Sequence, residues 1–288
     1  MIVGPATRDV FADRVAPGGA VRYGARVAEA FGERAGLVVL DAVDAAAVDP
    51  VFEAHDVCRV DGGSPLAFEI RPRGDGRAMR VLSRPRAAVA LDAVPADWRA
   101  PELLVLAPLL PDDVDVASFL EARASRTLVL AQGLLRSIAA DGTVSPLGRL
   151  PDTLKRLARS RTVLAFSAEE TSGWTPGDIE GLAAEGATVL LTEGSAGAEV
   201  ITASERFHVA PRPSRVVDTT GAGDVFAMAF ACALALGTVA SMRDAGRLAA
   251  ECAAAAIETA GPAPLPDVAT LMRRAGMSPA MIDAGAAG

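Results

Sequence analysis

The sequence predicts an α/β sandwich on a mainly parallel sheet with a small β insertion. Three observations predict it: strand and helix signals alternate along most of the 288 residues, the strand candidates are continuous Val/Leu runs, and one stretch, 56–85, breaks the alternation. Continuous apolar runs of strand length are what a parallel sheet buries on both faces. The runs are Met1 to Pro5, Leu37 to Asp41, Glu102 to Ala107, Thr127 to Ala131, Thr162 to Ser167 and Thr188 to Thr192. Between them, Val21 to Phe31, Val114 to Ser125, Asp152 to Arg159 and Pro176 to Glu185 carry helical periodicity. Thr175-Pro176 and Gly186 frame the last of these with a cap, a first-turn proline and a terminating glycine. Repeated strand, helix, strand order then places helices on both faces of the sheet.

The exception holds Val57-Cys58-Arg59-Val60, Leu66 to Arg71 and Met79 to Leu82, separated by Gly62-Gly63-Ser64-Pro65 and Arg73-Gly74-Asp75-Gly76. Short β-like pieces with glycine-rich turns predict two adjacent hairpins, a small sheet projecting from the main domain or, in the plainer reading, a meander on its edge. The expected organisation is an α/β domain of residues 1–55 and 86–288 with 56–85 inserted in it.

Composition narrows the function classes. A hydrophobic content of 51% supports one large core, and a net charge of −8 opposes nucleic-acid binding. The apolar helix at 225–236 is too short to span a bilayer, and the run after Glu102 is broken by Pro108, so no membrane partner is expected. Met1 enters a strand at once, with no basic flank or cleavage site, and Cys58, Cys232 and Cys252 form no C-x-x-C or Cys/His cluster. A cytoplasmic protein with buried thiols is expected. His55 and His208 each stand alone in the sequence.

Chemistry concentrates in Val216-Val217-Asp218-Thr219-Thr220-Gly221-Ala222-Gly223-Asp224. Arg215 to Val217 read as the end of a short strand, and Val225 to Leu236 as a helix apolar on nearly every face. A buried helix is expected to start at Asp224, turning its free N–H groups and positive dipole end toward the glycines, which let an anion approach the backbone. The bland reading is a tight strand-to-helix turn with an exposed acid favoured by the dipole. Two other phosphate loops are excluded. A Walker A loop needs Gly-Lys-Ser/Thr, and the only lysine, Lys155, lies far from a glycine-rich turn. A dinucleotide fingerprint needs a third glycine where Phe226 stands.

Asp218 to Asp224 resembles the DTTGAGD signature of the ribokinase-like, or PfkB, family of carbohydrate and nucleoside kinases. Three further segments agree in order: Gly4 to Asp9 at the end of the first strand, Gly18-Gly19 followed by Ala25, and Thr192-Glu193-Gly194-Ser195-Ala196-Gly197. The resemblance implies a ribokinase-like three-layer α/β/α sandwich in which 56–85 is the substrate lid and a possible homodimer interface. It implies Asp224 as general base, with Gly221, Ala222 and Gly223 as an anion hole. It implies Asp9, Gly18 and Gly19 against the substrate, and Thr192, Gly194, Gly197, Thr220, Gly221 and Gly223 against the nucleotide. The adenine is expected against Ala253 to Pro264. Because Asp224 is itself negative, a metal-bound nucleotide is the expected donor, ATP with Mg²⁺.

The family's N-x-x-E metal motif reads Ser167-Ala168-Glu169-Glu170 here, leaving Glu170 as the metal carboxylate unless the adjacent acids are a solvated helix start. Tyr23 stands where many sugar kinases carry a substrate-binding asparagine, either as an aromatic wall of the substrate site or as a core residue. With Ser167, and with Leu130 to Arg136 followed by Asp141-Gly142-Thr143-Val144, it resembles the plant inositol kinase group, which implies a cyclitol or sugar acceptor. A nucleoside kinase, with Tyr23 stacked on a base, and a catalytically silent sugar or nucleotide sensor are the other readings. Retention of Asp224 and its turn opposes the second.

Overall fold

In the strand Gly36–Asp41, Leu37 and Val39 turn to one face and Val38 and Leu40 to the other, and all four are fully buried. A side-chain period of two therefore commits both faces of this strand to cores, and helices must cover each. The structure, a computed structural model, describes residues 1–42, 49–73 and 76–278. In chain order these form β1 (Ile2–Pro5), β2 (Thr7–Val10), β3 (Val15–Gly18), α1 (Ala20–Ala30), β4 (Gly36–Asp41), β5 (Asp56–Asp61), β6 (Leu66–Arg73) and β7 (Gly76–Ser83). Next come β8 (Leu103–Leu106), β9 (Arg126–Leu130), β10 (Arg136–Ile138), β11 (Val144–Pro146), α2 (Asp152–Leu157), β12 (Thr162–Ser167), α3 (Pro176–Ala184) and β13 (Thr188–Thr192). The chain closes with β14 (Ala198–Ile201), β15 (Arg206–Val209), α4 (Ala222–Ala235), α5 (Met242–Ile257) and α6 (Val268–Arg274).

The large sheet has the order β15-β14-β13-β12-β9-β8-β1-β4-β5, parallel from β5 to β13, with β14 and β15 as an antiparallel edge. One face packs on α1, α4, α5 and α6 through Val21, Phe230, Leu248 and Leu271; the other packs on α2 and α3 through Leu154, Leu157 and Leu182. β1 lies between β4 and β8, where the chain's direction of travel across the sheet reverses, and α/β sheets bind ligands beyond the strand ends at such a point. The capping box of α3 joins Thr175 and Asp178, with Pro176 in its first turn.

A second sheet, of order β3-β2-β6-β7, stands over that end. Its composition differs from the sequence expectation. Residues 56–61 do not belong to it: β5 runs parallel to β4 in the large sheet, whose open edge accepts it. Its place is taken by β2 and β3, so Asp9 lies within the lid sheet, opposite Ala16 and Phe68, and not at the end of a core strand. Leu66, Phe68 and Ile70 seat this sheet on Leu109 and Leu110. Residues 74 and 75 of the expected Arg73 to Gly76 turn lie outside the described residues.

Three local expectations also change. The helix expected at 114–125 is a 3₁₀ turn at Ser118–Glu121, because the backbone of Asp113 and Asp115 bonds to Val89 and Ser118 bonds back to Asp115. Arg215 to Val217 form no strand; Val217 N–H is held by the Ile257 carbonyl, while Val216 and Val217 stay exposed. Helix α4 begins at Ala222, not Asp224, because Gly221 takes the left-handed conformation and serves as N-cap two residues earlier.

Candidate active site

Gly221 has φ +79°, and a Cβ there would run into the ring of Tyr23 on α1. Glycine is thus required twice, for the backbone turn and for the close approach. The cap leaves the N–H groups of Gly223 and Asp224 without a hydrogen-bond partner among the described residues, while the Ala222 N–H points to Thr219 O at 3.3 Å. Nothing lies closer to a Cβ at Gly223 than Thr192 Oγ1 at 3.7 Å, so the turn and the end of β13 enclose an open cradle. Asp218 accepts from the Thr220 N–H at 2.9 Å, and the Ile257 carbonyl accepts from both Val217 and Asp218, which ties the turn to the end of α5. Burial raises the Asp218 carboxyl, but bonds from Thr220 and Gly261, with the charge of Arg77, hold it below the usual range.

Asp224 occupies the third position of α4, partly buried, and its Oδ1 accepts from Gln132 Nε2 at 3.1 Å. Gln132 Oε1 accepts in turn from Arg136 at 3.1 Å, and Arg136 is anchored on the Leu109 carbonyl at 2.6 Å. The 3₁₀ turn Ala131–Leu135 carries this relay. It reaches its position because Gly133 packs so closely on Pro108 that a Cβ would not fit. Burial, and next the charge of Glu170, push the Asp224 carboxyl up to about 7, against Arg136 and the Gln132 bond. A carboxylate poised there suits proton abstraction near neutral pH.

On the lid side, Asp9 is buried, accepts from the Thr7 hydroxyl at 2.9 Å and abuts Gly18, where a Cβ would strike its carboxylate. Desolvation raises its carboxyl, opposed by Thr7 and by the charges of Arg22, Arg136 and Arg77. Gly19, φ +99°, lets α1 start against the Pro5 carbonyl. Tyr23 is 5% exposed and belongs to the core cluster while also touching the turn. Burial and then the charges of Asp218, Asp224 and Asp9 raise its phenol.

Ser167 and Glu170 are joined reciprocally: Ser167 N–H donates to Glu170 Oε2 at 2.8 Å, and Glu170 N–H to Ser167 Oγ at 3.2 Å. Serine therefore closes the turn after β12, leaving the second Glu170 oxygen for other work. Burial raises this carboxyl against Ser167 and Arg136. Thr192 pairs with Ser167 across β12 and β13. Gly194 opens on empty space, whereas Gly197 lies so close to the Val209 carbonyl that it shapes the turn. His208 is not alone: its Nδ1 is 3.0 Å from Glu199, and Glu193 is near enough to share an ion with them.

The structure thus brings together Asp224, Gly221, Ala222, Gly223, Thr220, Thr192, Glu170, Tyr23 and Asp9. It adds Gln132, Arg136 and Arg77, which the sequence reading did not place in the site. Gln132 and Arg136 had a signal, since a Gln and an Arg four residues apart follow a strand end; Arg77 had none.

A helix start capped by a left-handed glycine, beside a poised carboxylate at the switch point of an α/β sheet, defines a protein built to hold an anion next to a proton acceptor. Residues 101–268 match the model of the pfkB family carbohydrate kinases, and the chain belongs to that family. It is 34% identical over 134 residues to an inositol 3-kinase of Zea mays, a match covering 46% of this chain and about a third, 34%, of that protein's length. Among solved structures, its fold matches a pyrophosphate-dependent kinase in the ribokinase family complexed with a pyrophosphate analog and myo-inositol. That match has TM-score 0.75 at 19% identity and covers 91% of this chain and 96% of that one. The ribokinase of Arabidopsis thaliana, complexed with ribose and ATP, aligns with TM-score 0.71 at 18% identity over 96% of this chain and 98% of that one. No helix among the described residues is long and apolar enough to cross a membrane.

Proposed function

We propose that this protein is an ATP-dependent kinase that transfers the γ-phosphate to a hydroxyl of a small cyclic polyol, a cyclitol such as inositol or a sugar. The observation that carries the reading is the junction of Asp224, raised to about 7, with the open N–H groups of its own helix start. Asp9 and the flat backbone at Gly18 position the acceptor's hydroxyls, and Asp224 takes the proton of the attacking one. Gln132 and Arg136 hold the carboxylate in orientation. The N–H groups of Gly223 and Asp224, with the helix dipole, stabilise the charge on the transferred group. Thr192, Gly194, Thr220 and Gly221 border the donor phosphates, with the adenine along the end of α5.

The residues fit a divalent cation, because the mutual repulsion of Glu170 and Asp224 is what a positive ion between donor and protein offsets. Glu170 would hold the Mg²⁺ shell, and the ion when bound neutralises the phosphate oxygens. Tyr23 packs its ring on Gly221, so stacking on a nucleobase, as the nucleoside kinase reading needs, has less support than a wall for a small ring. The outer strands of the lid expose Val15 and Leu82, and a homodimer through that sheet belongs to the same reading.

The test is phosphate transfer from Mg²⁺-ATP, with pyrophosphate as a second donor, across inositols, hexoses, pentoses and nucleosides, beside Asp224→Asn and with the solution mass measured. Turnover of a cyclitol or sugar with ATP, lost in the variant, is expected. Turnover of nucleosides alone, or from pyrophosphate alone, replaces the acceptor or the donor. Ligand-induced stabilisation without any turnover leaves a sensor, and a monomeric mass removes the dimer.

A further inference from the structure

Arg77 lies on the outer strand of the lid sheet, remote in sequence from the turn it touches. One of its guanidinium nitrogens donates to Thr220 Oγ1 at 2.8 Å and the other to Thr219 Oγ1 at 2.8 Å. Those hydroxyls belong to the two residues before Gly221, so the fork is bonded at the start of the anion turn. Its charge reaches Asp9, Asp218 and Tyr23, which line both halves of the site. Of the other cations near the site, Arg136 is held on the Leu109 carbonyl and Gln132, and Arg22 on Asp49 and the Gly18 carbonyl. The chain's only lysine, Lys155, is exposed and paired with Asp152 on α2.

We propose that Arg77 is a catalytic residue carried by the lid, whose guanidinium engages the phosphoryl group in transfer. This rests on the kinase reading above. In the structure its positive charge meets only two neutral hydroxyls, whereas a bond to a phosphoryl oxygen has both partners ionised and adds the attraction of opposite charges. A phosphoryl group in the adjoining turn therefore draws the fork away from the threonines. In the transfer, the acceptor oxygen forms a bond to phosphorus as its proton passes to Asp224. The bond from phosphorus to the bridging oxygen breaks, and its electron pair leaves with the diphosphate. Arg77 gains and loses no atom; from the lid sheet over the site it offsets the charge on the phosphoryl oxygens. A planar fork suits two oxygens of one phosphoryl group better than a point charge does.

The test uses the full chain with the donor and acceptor that the wild type turns over. Arg77→Ala is expected to lower kcat at least 100-fold, a floor set tenfold below the 10³–10⁵ ascribed to arginine fingers, with acceptor KM changed less than about threefold. Free guanidinium ion is expected to restore part of the lost kcat in Arg77→Ala. Arg77→Lys, which keeps the charge and the fold if the alanine variant does not, is expected to fall between wild type and Arg77→Ala. A kcat within about threefold of wild type in both variants, with only KM raised, makes Arg77 a latch for the lid and overturns the proposal. If the wild type turns over no donor and acceptor pair, the kinase reading falls and takes Arg77 with it; an active wild type with unaffected variants removes Arg77 alone.

Discussion

Asp224 and Asp9 are two desolvated carboxylates of one site, held in opposite ways. Asp224 sits on the first turn of a buried helix, within a motif of consecutive residues, and meets Glu170 as its second perturbing influence. Asp9 sits on a strand of the lid sheet, bonded by Thr7 of the same strand and offset by Arg22, Arg136 and Arg77 from three separate parts of the chain. A carboxylate left undercompensated keeps a high proton affinity, which suits a base. Asp9 is raised by burial too, but it meets a hydroxyl and three cations and no second acid, which suits a fixed hydrogen-bond acceptor for substrate.

The comparison breaks most visibly in a split of kinetic constants. Asp224→Asn is expected to lower kcat by about 10²–10⁴, the usual contribution of a general base, with acceptor KM nearly unchanged. Asp9→Asn is expected to act chiefly through acceptor KM, raised at least about tenfold, because its bonds form on binding and persist in the transition state. Steady-state assays of both variants decide it. If the two patterns exchange, the roles of the carboxylates are reversed.

A second expectation concerns the junction of the two halves, where Tyr23 from α1 meets Gly221. Gly221→Ala places a Cβ at φ +79° and against the Tyr23 ring, so a loss of roughly 1–3 kcal/mol is expected from strain, with the steric part added. In a Tyr23→Ala background the steric part is gone and only the left-handed cost remains, about 1–2 kcal/mol. Denaturant unfolding of the four proteins measures the coupling. Additive losses would mean that the ring and the turn do not press on one another.

What was legible in the sequence follows the same division. The Asp218 to Asp224 turn and the apolar helix behind it are contiguous, so the turn-to-helix arrangement could be read from the sequence, to within the two residues by which α4 starts early. The parallel sheet was legible because its central strands are apolar on both faces. The lid was not, since β2 pairs with β6 and β3 only after the chain has folded back, and no local pattern says that Val57 to Val60 joins β4 instead. Arg77 was invisible for the same reason, as its partners lie more than a hundred residues away. The helix expected after Val114 failed because Asp113 and Asp115 commit their backbone to Val89, a contact that helical periodicity does not contain.

The smallest effect sharpens the contrast in free energy instead of rate. The folded Asp224 carboxyl titrates at about 7, above the ordinary 3.8, so the unfolded chain releases this proton first as pH rises. Below about 4 both states hold the proton and nothing is lost; between about 4 and 7 stability falls, and above 7 the whole penalty is present. Asparagine at 224 is neutral throughout and still accepts from Gln132, so it removes the penalty without removing the bond. Asp224→Asn is therefore expected to be more stable than wild type at pH 8, by on the order of 1–2 kcal/mol once partial exposure is discounted, with the difference shrinking toward pH 4. Asp113, also raised to about 7 by burial, shifts both proteins alike and cancels in the difference. Thermal melts of the ligand-free proteins from pH 4 to 8 provide the measurement. A constant difference across that range would mean that burial does not raise the Asp224 carboxyl.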